Sequence, residues 1–159
     1  MPTRSSDAGD NHVIEVDERF EVQAEPTTVW QLLADPYAVV GCVPGAAIVA
    51  VNDDGSLETT LTVKFGPVGV SFQAHAELDL DPEAMRGRLT ARGRDKQGGA
   101  RFQASASFGV SALEAGTSVI THGEVEISGR LASMIEGGAN VVAKRMSAEF
   151  AECLRARCA

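Results

Sequence analysis

The stretch VSFQAHAELDL, residues 70–80, alternates apolar and polar side chains and decides the fold. Its polar positions include Gln73, His75, Glu77 and Asp79, and the residues between them are Val, Phe, Ala and Leu. A period of two is typical of a strand that rests on a core with one face and meets water with the other. The same period recurs from residue 56 to 127, between turns rich in Gly, Pro and Asp. The pattern predicts an antiparallel meander.

Working outward, the sequence predicts five or six strands after the two short helices, with a further strand before those helices. The first strand covers 13–24, and Pro26 opens a helix that Asp35-Pro36 ends, since proline disfavours helical geometry in the residue before it. A second short helix runs from Tyr37 to about Cys42. The predicted strands of the meander are 46–51, 57–65, 70–80, 85–94, 102–110 and 119–127.

Apolar residues recur at intervals of three and four from 131 to 157, which predicts one long amphipathic C-terminal helix. Gly93, Gly109 and Gly123 are assigned to the inward side of successive strands, where glycine often marks a bend. The predicted fold is α+β: a curved antiparallel sheet wrapped on the long helix, with two short helices after strand 1. This is the helix-grip arrangement.

Composition limits the kinds of partner. The 159 residues suit one domain, predicted over 13–159, and the polar residues 1–12 are predicted to be a disordered tail. A formal net charge of -8 disfavours nucleic acid and anionic lipid as partners. No apolar run is long enough to span a membrane. An odd number of cysteines without a secretion signal predicts a reducing cytoplasm.

Few residues offer catalytic chemistry, and no metal or cofactor motif is present. His75 and His122 have outward parity, and His12 lies in the predicted tail. Glu18 is the carboxylate that breaks the apolar side of strand 1, either at a bulge or exposed strand end or as a buried functional group. Cys42 is either a small buried thiol or a reactive group at a cavity rim.

The outward positions of strand 85–94 carry a stripe of four arginines. These are Arg86, Arg88, Arg92 and Arg94. Two interpretations stay open: a solvated face balanced by neighbouring carboxylates, or a contact surface for an acidic partner.

The inward face, by contrast, is apolar, without histidine or cysteine, and is predicted to hold a hydrophobic molecule. Thr59 and Thr121 are positioned to donate a hydrogen bond to a carbonyl of that ligand. The predicted ligand-binding residues are Trp30, Leu33, Val43, Leu61, Val63, Phe65, Phe72, Ala74, Leu89, Phe102, Ala104, Ala106, Phe108, Val119, Thr121, Met134, Gly138, Val142 and Met146.

Three short segments resemble a known family. They are FEVQAEPTTVW (20–30), LADP (33–36) and CVPG (42–45), with further matches at Val68-Gly69 and at GRLA (129–132). Together they resemble the carbon monoxide dehydrogenase G-subunit family of the START/Bet v 1-like superfamily, over roughly residues 13–155.

The resemblance implies a non-enzymatic accessory protein of molybdenum-containing hydroxylases, which binds a quinone or lipid or recruits the enzyme to the membrane. We expect a cytoplasmic protein without a cofactor, which a role in linking an enzyme to the membrane would bring to the inner face of the membrane. Some members carry a C-terminal tail for membrane association; because this chain ends at Ala159, we expect any membrane contact to be peripheral. Two alternatives stay open: an enzyme similar to the polyketide cyclases and dehydratases of the superfamily, and an interaction module with a filled core.

Overall fold

The computed structural model describes residues 11–130 and 132–158, without the side chains of 11, 12 and 133–137. Residues 1–10 of the predicted tail therefore lie outside the described residues. The elements are β1 (Asn11–Val22), α1 (Pro26–Leu33), α2 (Pro36–Gly41), β2 (Ala46–Val51), β3 (Leu57–Phe65), β4 (Val68–Asp81), β5 (Arg86–Asp95), β6 (Arg101–Ala112), β7 (Thr117–Ser128) and α3 (Ala132–Cys158).

The strands form one sheet in the order β1-β7-β6-β5-β4-β3-β2. Every neighbouring pair is antiparallel, so β2 to β7 are the predicted meander, and β1 joins its last strand. The sheet has an inner face toward α3 and an outer face on the other side. This α+β helix-grip architecture confirms the predicted fold.

Local chemistry explains the two short helices between β1 and β2. Pro26 and Pro36 stand in the first turns of α1 and α2, and Asp35 caps α2 by accepting a hydrogen bond from the backbone N–H of Tyr37 at 3.0 Å. Gly45, the last residue of the CVPG segment, has a φ of 81° and lies against the carbonyl oxygen of Thr62, where a Cβ would collide. Glycine is therefore required where the chain turns from α2 into β2.

Two details differ from the sequence prediction. β1 begins at Asn11, so His12 belongs to a strand and not to the tail, because β7 extends far enough to pair it with Ile127. Gly109 lies on the outer face of β6, opposite Arg86, since its neighbours Phe108 and Val110 occupy the inner face. Gly93 and Gly123 lie on the inner face, as predicted.

The C-terminal part of α3 is held against β1 and α1. Ala151 and Leu154 are buried in a cluster with Phe20 and Val29. Arg155 donates a hydrogen bond from Nε to the backbone oxygen of Glu21 at 3.0 Å, and its guanidinium carbon lies 5.3 Å from the centroid of the Phe20 ring. These contacts fix the helix over the inner face of the sheet.

A disulfide joins Cys42, at the C-terminal end of α2, to Cys153 in α3, with 5.4 Å between the Cα atoms. The expectation that Cys42 is a thiol, buried or reactive, is wrong. Disulfides persist mainly in oxidising compartments, which argues against the constantly reducing environment that the odd cysteine count predicts. Cys158 is the free cysteine among the described residues.

Candidate functional site

A cavity of about 310 Å³ lies between the inner face of the sheet and α3, with α1 and α2 at one side. Strands β1 and β3 to β7 form its floor. Its lining residues are Ile14, Val16, Leu33, Val39, Val43, Leu61, Val63, Phe65, Phe72, Leu89, Phe102, Ala104, Ala106, Ser107, Phe108, Thr121, Gly123, Val125, Ile127, Ala139, Val142, Ala143, Met146, Ser147 and Phe150.

Most of the predicted ligand-binding residues meet at this cavity. The ones that line it are Leu33, Val43, Leu61, Val63, Phe65, Phe72, Leu89, Phe102, Ala104, Ala106, Phe108, Thr121, Val142 and Met146. The inward parity of the strands and the period of the helix thus select residues that share one space, whatever that space binds.

Four predicted residues do not line the cavity. Trp30 is buried against Phe108, with 6.2 Å between ring centroids, and Val119 is fully buried in the same cluster. Ala74 belongs to the packed core under the sheet, and Gly138 of α3 is half-buried away from the lining. Met134 falls among the side chains outside the described residues.

Several lining residues are absent from the predicted set. Val16 and Val125 have inward parity on β1 and β7, so the sequence carries a signal for them. Phe150 belongs to the helical repeat that predicts α3, so it carries a signal as well. Val39 has none, because the orientation of α2 depends on tertiary packing.

The lining is almost free of polar side chains. Among the described residues, it contains Ser107, Thr121 and Ser147 but no ionisable group. Thr59 does not belong to it, and its hydroxyl donates to the backbone oxygen of Ala74 at 3.3 Å. Thr121 is therefore the predicted hydrogen-bond donor that reaches the cavity.

Glu18 is the carboxylate that the sequence pattern places on the apolar side of strand 1. It is half-buried on β1 and pairs in register with Thr121 of β7, so the two residues share the inner face. It does not line the cavity. A general acid or base must reach the reacting atoms, and the described lining supplies none.

The histidines lie on the outer face, each beside a carboxylate. His75 Nδ1 is 2.8 Å from Glu58 Oε2, and the hydrogen bond between them raises the pKa of His75 above its ordinary 6.5. His122 Nδ1 is 2.6 Å from Asp17 Oδ1, which raises the pKa of His122 in the same way. Both are separated from the cavity by the sheet.

Two other kinds of site are missing from residues 11–130 and 132–158. No group of three or more His, Cys, Asp or Glu side chains in these ranges is arranged to hold a metal ion. No helix in these ranges is long and apolar enough to cross a bilayer.

Several solved structures share this architecture. A conserved protein from Geobacillus kaustophilus superimposes with a TM-score of 0.76 at 18% identity, over 91% of this chain and 94% of that one. The Zhui aromatase/cyclase from Streptomyces sp. R1128 gives 0.64 at 16% identity, over 92% and 94%. A START superfamily protein from Mycobacterium smegmatis gives 0.55 at 18% identity, over 91% and 96%. The fold is that of the START/Bet v 1-like superfamily.

A family model narrows this class. The model for the G subunit of carbon monoxide dehydrogenase (CoxG) matches residues 19–159. The chain belongs to this carbon monoxide dehydrogenase G-subunit family, as the three short segments predicted. A comparison with curated proteins finds no match.

Proposed function

We propose that this protein binds a hydrophobic small molecule, a quinone or another lipid, between the sheet and α3, and that it is not an enzyme. One observation carries the proposal: the described lining of the cavity is apolar and contains no ionisable side chain. Such a lining favours transfer of apolar surface out of water and offers no general acid or base.

The size of the cavity favours a ring with a short apolar substituent. A volume of about 310 Å³ is at the small end of ligand sites, so a long isoprenoid chain would extend beyond it. Burying about 300 Å² of apolar ligand surface contributes roughly 7 kcal/mol before the cost of association is subtracted. Thr121 is the side chain we expect to donate a hydrogen bond to a ligand carbonyl.

Membership of the CoxG family supports a role beside a molybdenum-containing hydroxylase. We propose that the protein carries its ligand for that enzyme, or brings the enzyme to the membrane by peripheral contact. This wider role rests on the family and not on the cavity.

Ubiquinone-1, a quinone ring with one isoprene unit, is a suitable probe for the cavity. At a free concentration one hundred times its dissociation constant, it should raise the free energy of unfolding by about 2.7 kcal/mol. Denaturant unfolding with and without ubiquinone-1 measures this increase. Native mass spectrometry of protein purified from its own host would identify the natural ligand.

A matched pair of glycine variants makes the test specific. Gly123 lines the cavity, and a Cβ added there would meet nothing closer than 3.9 Å, so Gly123→Leu should fill the space and abolish the stabilisation. Gly109→Leu places the same side chain on the outer face, where the nearest atom is 3.7 Å away, and should leave it intact. Equal stabilisation of both variants, or none in the unmodified protein, would refute the proposal.

An enzyme is the second candidate, because the fold is shared with an aromatase/cyclase and Glu18 is half-buried on the inner face. In that case Glu18→Gln should abolish turnover of a cyclisation substrate while leaving its binding unchanged. Turnover that survives Glu18→Gln would remove the carboxylate on which this candidate rests.

A further inference from the structure

We propose that the outer face of the sheet carries a docking site for an acidic segment of a partner protein. The site is centred on Arg92, Arg94 and Arg101, which we call the arginine corner. It lies on the opposite side of the sheet from the cavity and does not depend on the function proposed for that cavity.

Register divides the arginine stripe of β5 into two parts. Arg86 and Arg88 lie directly opposite Asp81 and Asp79 of β4, so carboxylates face them across the strands. This part of the stripe is the balanced, solvated face that is the first interpretation of the sequence pattern.

In the other part of the stripe, Arg94 has no such balance. Arg94 faces the amide of Gln73 on one side and Arg101 of β6 on the other. Arg92 faces His75 and Gln103, and its charge adds to the hydrogen bonds from Asn52 and His75 that lower the pKa of Glu58. Cross-strand partners have Cβ atoms roughly 5 Å apart, so Arg94 and Arg101 form a like-charge pair, which destabilises a sheet.

The corner also lacks internal ion pairs. All three arginines are exposed, and within residues 11–130 and 132–158 the ion pairs involve His75, His122 and Arg145 instead. The nearby carboxylate of Glu58 already accepts hydrogen bonds from Asn52 at 2.9 Å and binds His75 at 2.8 Å. The guanidinium groups of Arg94 and Arg101 therefore remain available to an external carboxylate, and Arg92 adds positive charge beside them.

A groove gives the corner its shape. A cleft of about 760 Å³ is lined by all three arginines together with Gln73 and Gln103. A second cleft of about 450 Å³ shares Arg92 and Gln103 with the first, so the two form one groove across β4, β5, β6 and β7.

The charges around the groove select the kind of partner. Its edges carry Glu58, Glu77, Glu124 and Glu126, and the whole chain has a formal net charge of -8. A broad phosphate surface, such as nucleic acid or an anionic membrane, would cover those carboxylates as well as the corner and would be repelled by them. A single extended acidic segment can place one or two carboxylates on the corner, where guanidinium groups bind them bidentately.

A fluorescein-labelled octapeptide of glutamate is the probe, with a glutamine octapeptide as its control, and fluorescence anisotropy at low ionic strength measures the dissociation constant. We expect saturable binding of the glutamate peptide that weakens as salt is added. The double variant Arg94→Gln with Arg101→Gln should weaken it about tenfold, which corresponds to roughly 1.4 kcal/mol.

The double variant Arg86→Gln with Arg88→Gln is the matched control. It removes the same charge from the same face of the sheet, but from the balanced part of the stripe, and should change the dissociation constant less than about twofold. Removing a like-charge pair should not lower the unfolding midpoint, so unfolding curves show that the test variant is folded.

Four outcomes would overturn the proposal. The first is that both double variants weaken binding equally, and the second is that the glutamine peptide binds as well as the glutamate peptide. The third is arginine-dependent binding to phosphatidylglycerol vesicles that is stronger than binding to the peptide. The fourth is a dimer in sedimentation that the Arg94→Gln, Arg101→Gln double substitution dissociates. The last two would assign the corner to a membrane or to a second copy of this chain. Each readout is separate from quinone binding, so failure here leaves the cavity proposal untouched.

Discussion

The half-buried pair of His75 and Glu58 makes the outer face sensitive to pH. The hydrogen bond between them raises the pKa of His75, and hydrogen bonds from Asn52 and His75 lower the pKa of Glu58. The stabilisation from His75 is complete below its unfolded pKa of 6.5 and is lost as pH rises through the higher folded value. That from Glu58 is present above 4.5 and is lost as pH falls through the lower folded value. The pair therefore stabilises the fold most between those two unfolded values.

We predict that Glu58→Gln lowers the pKa of His75 toward 6.5, because it removes the carboxylate that favours the protonated ring. An NMR titration of the histidine ring protons measures the change. Asp17→Asn is the matched control: it should lower the pKa of His122 and leave His75 unchanged. Glu77 also raises the pKa of His75, so the value need not reach 6.5, but a pKa that does not fall in Glu58→Gln would contradict the hydrogen bond to Glu58.

For a single residue, the sequence predicts the face of the sheet on which its side chain lies, but not the side chain with which it pairs. Parity places His75 and His122 on the outer face, where they lie. The partner of His122 is Asp17, 105 residues away, and their pairing depends on the register of β1 against β7, which no local pattern specifies. The pattern around Glu18 likewise leaves its distance from the cavity undetermined.

Among the elements, α3 has two parts with different surroundings: one is packed against other elements and the other covers the cavity. In its C-terminal part, Leu154 packs in a buried cluster, Arg155 donates a hydrogen bond to the backbone of β1, and Cys153 forms the disulfide. Its middle part, with Val142 and Met146, covers the cavity. Side chains that border empty space have fewer contacts to lose, so the two parts should respond differently to truncation.

We predict that Val29→Ala destabilises the protein by about 2–3 kcal/mol and Val142→Ala by about 1 kcal/mol. The two changes are chemically identical and both fall within helices. Val29 of α1 is fully buried in a packed cluster, whereas Val142 of α3 borders the cavity. Unfolding in guanidinium chloride measures both values. An equal loss at the two positions would mean that the space beneath α3 is filled in solution.

Element type was predictable here because the patterns are long and regular, as in β4 and α3. The way in which the elements pack against one another was harder to predict. Trp30 was predicted at the cavity but packs on Phe108, because the rotation of α1 about its axis is set by its contacts with the sheet and α3. Val39 lines the cavity for the same reason, since α2 is too short for a period to show which side is buried.

At the scale of the whole molecule, contacts between distant parts of the chain complete the fold. β1 pairs with β7, and Cys42 bonds to Cys153 across 111 residues. The sequence patterns predicted both strands of the first contact but not that they pair, because no local pattern links two strands so far apart in the chain. Nothing in the cysteine spacing predicted the second, because no short motif joins the two positions and the pairing appears only once α2 and α3 are packed together.

The disulfide should provide a large part of the stability of this chain. Closing a loop of this length removes conformational freedom from the unfolded state, worth about 4–5 kcal/mol. We predict that reduction by dithiothreitol, or Cys42→Ala with Cys153→Ala, lowers the free energy of unfolding by about that amount, measured in guanidinium chloride. Cys158→Ala is the control: this thiol is free, and burial raises its pKa and so disfavours exchange with the disulfide. A loss below about 1 kcal/mol in the double variant, or an equal loss in Cys158→Ala, would show that α2 and α3 are held together by packing and not by the bond.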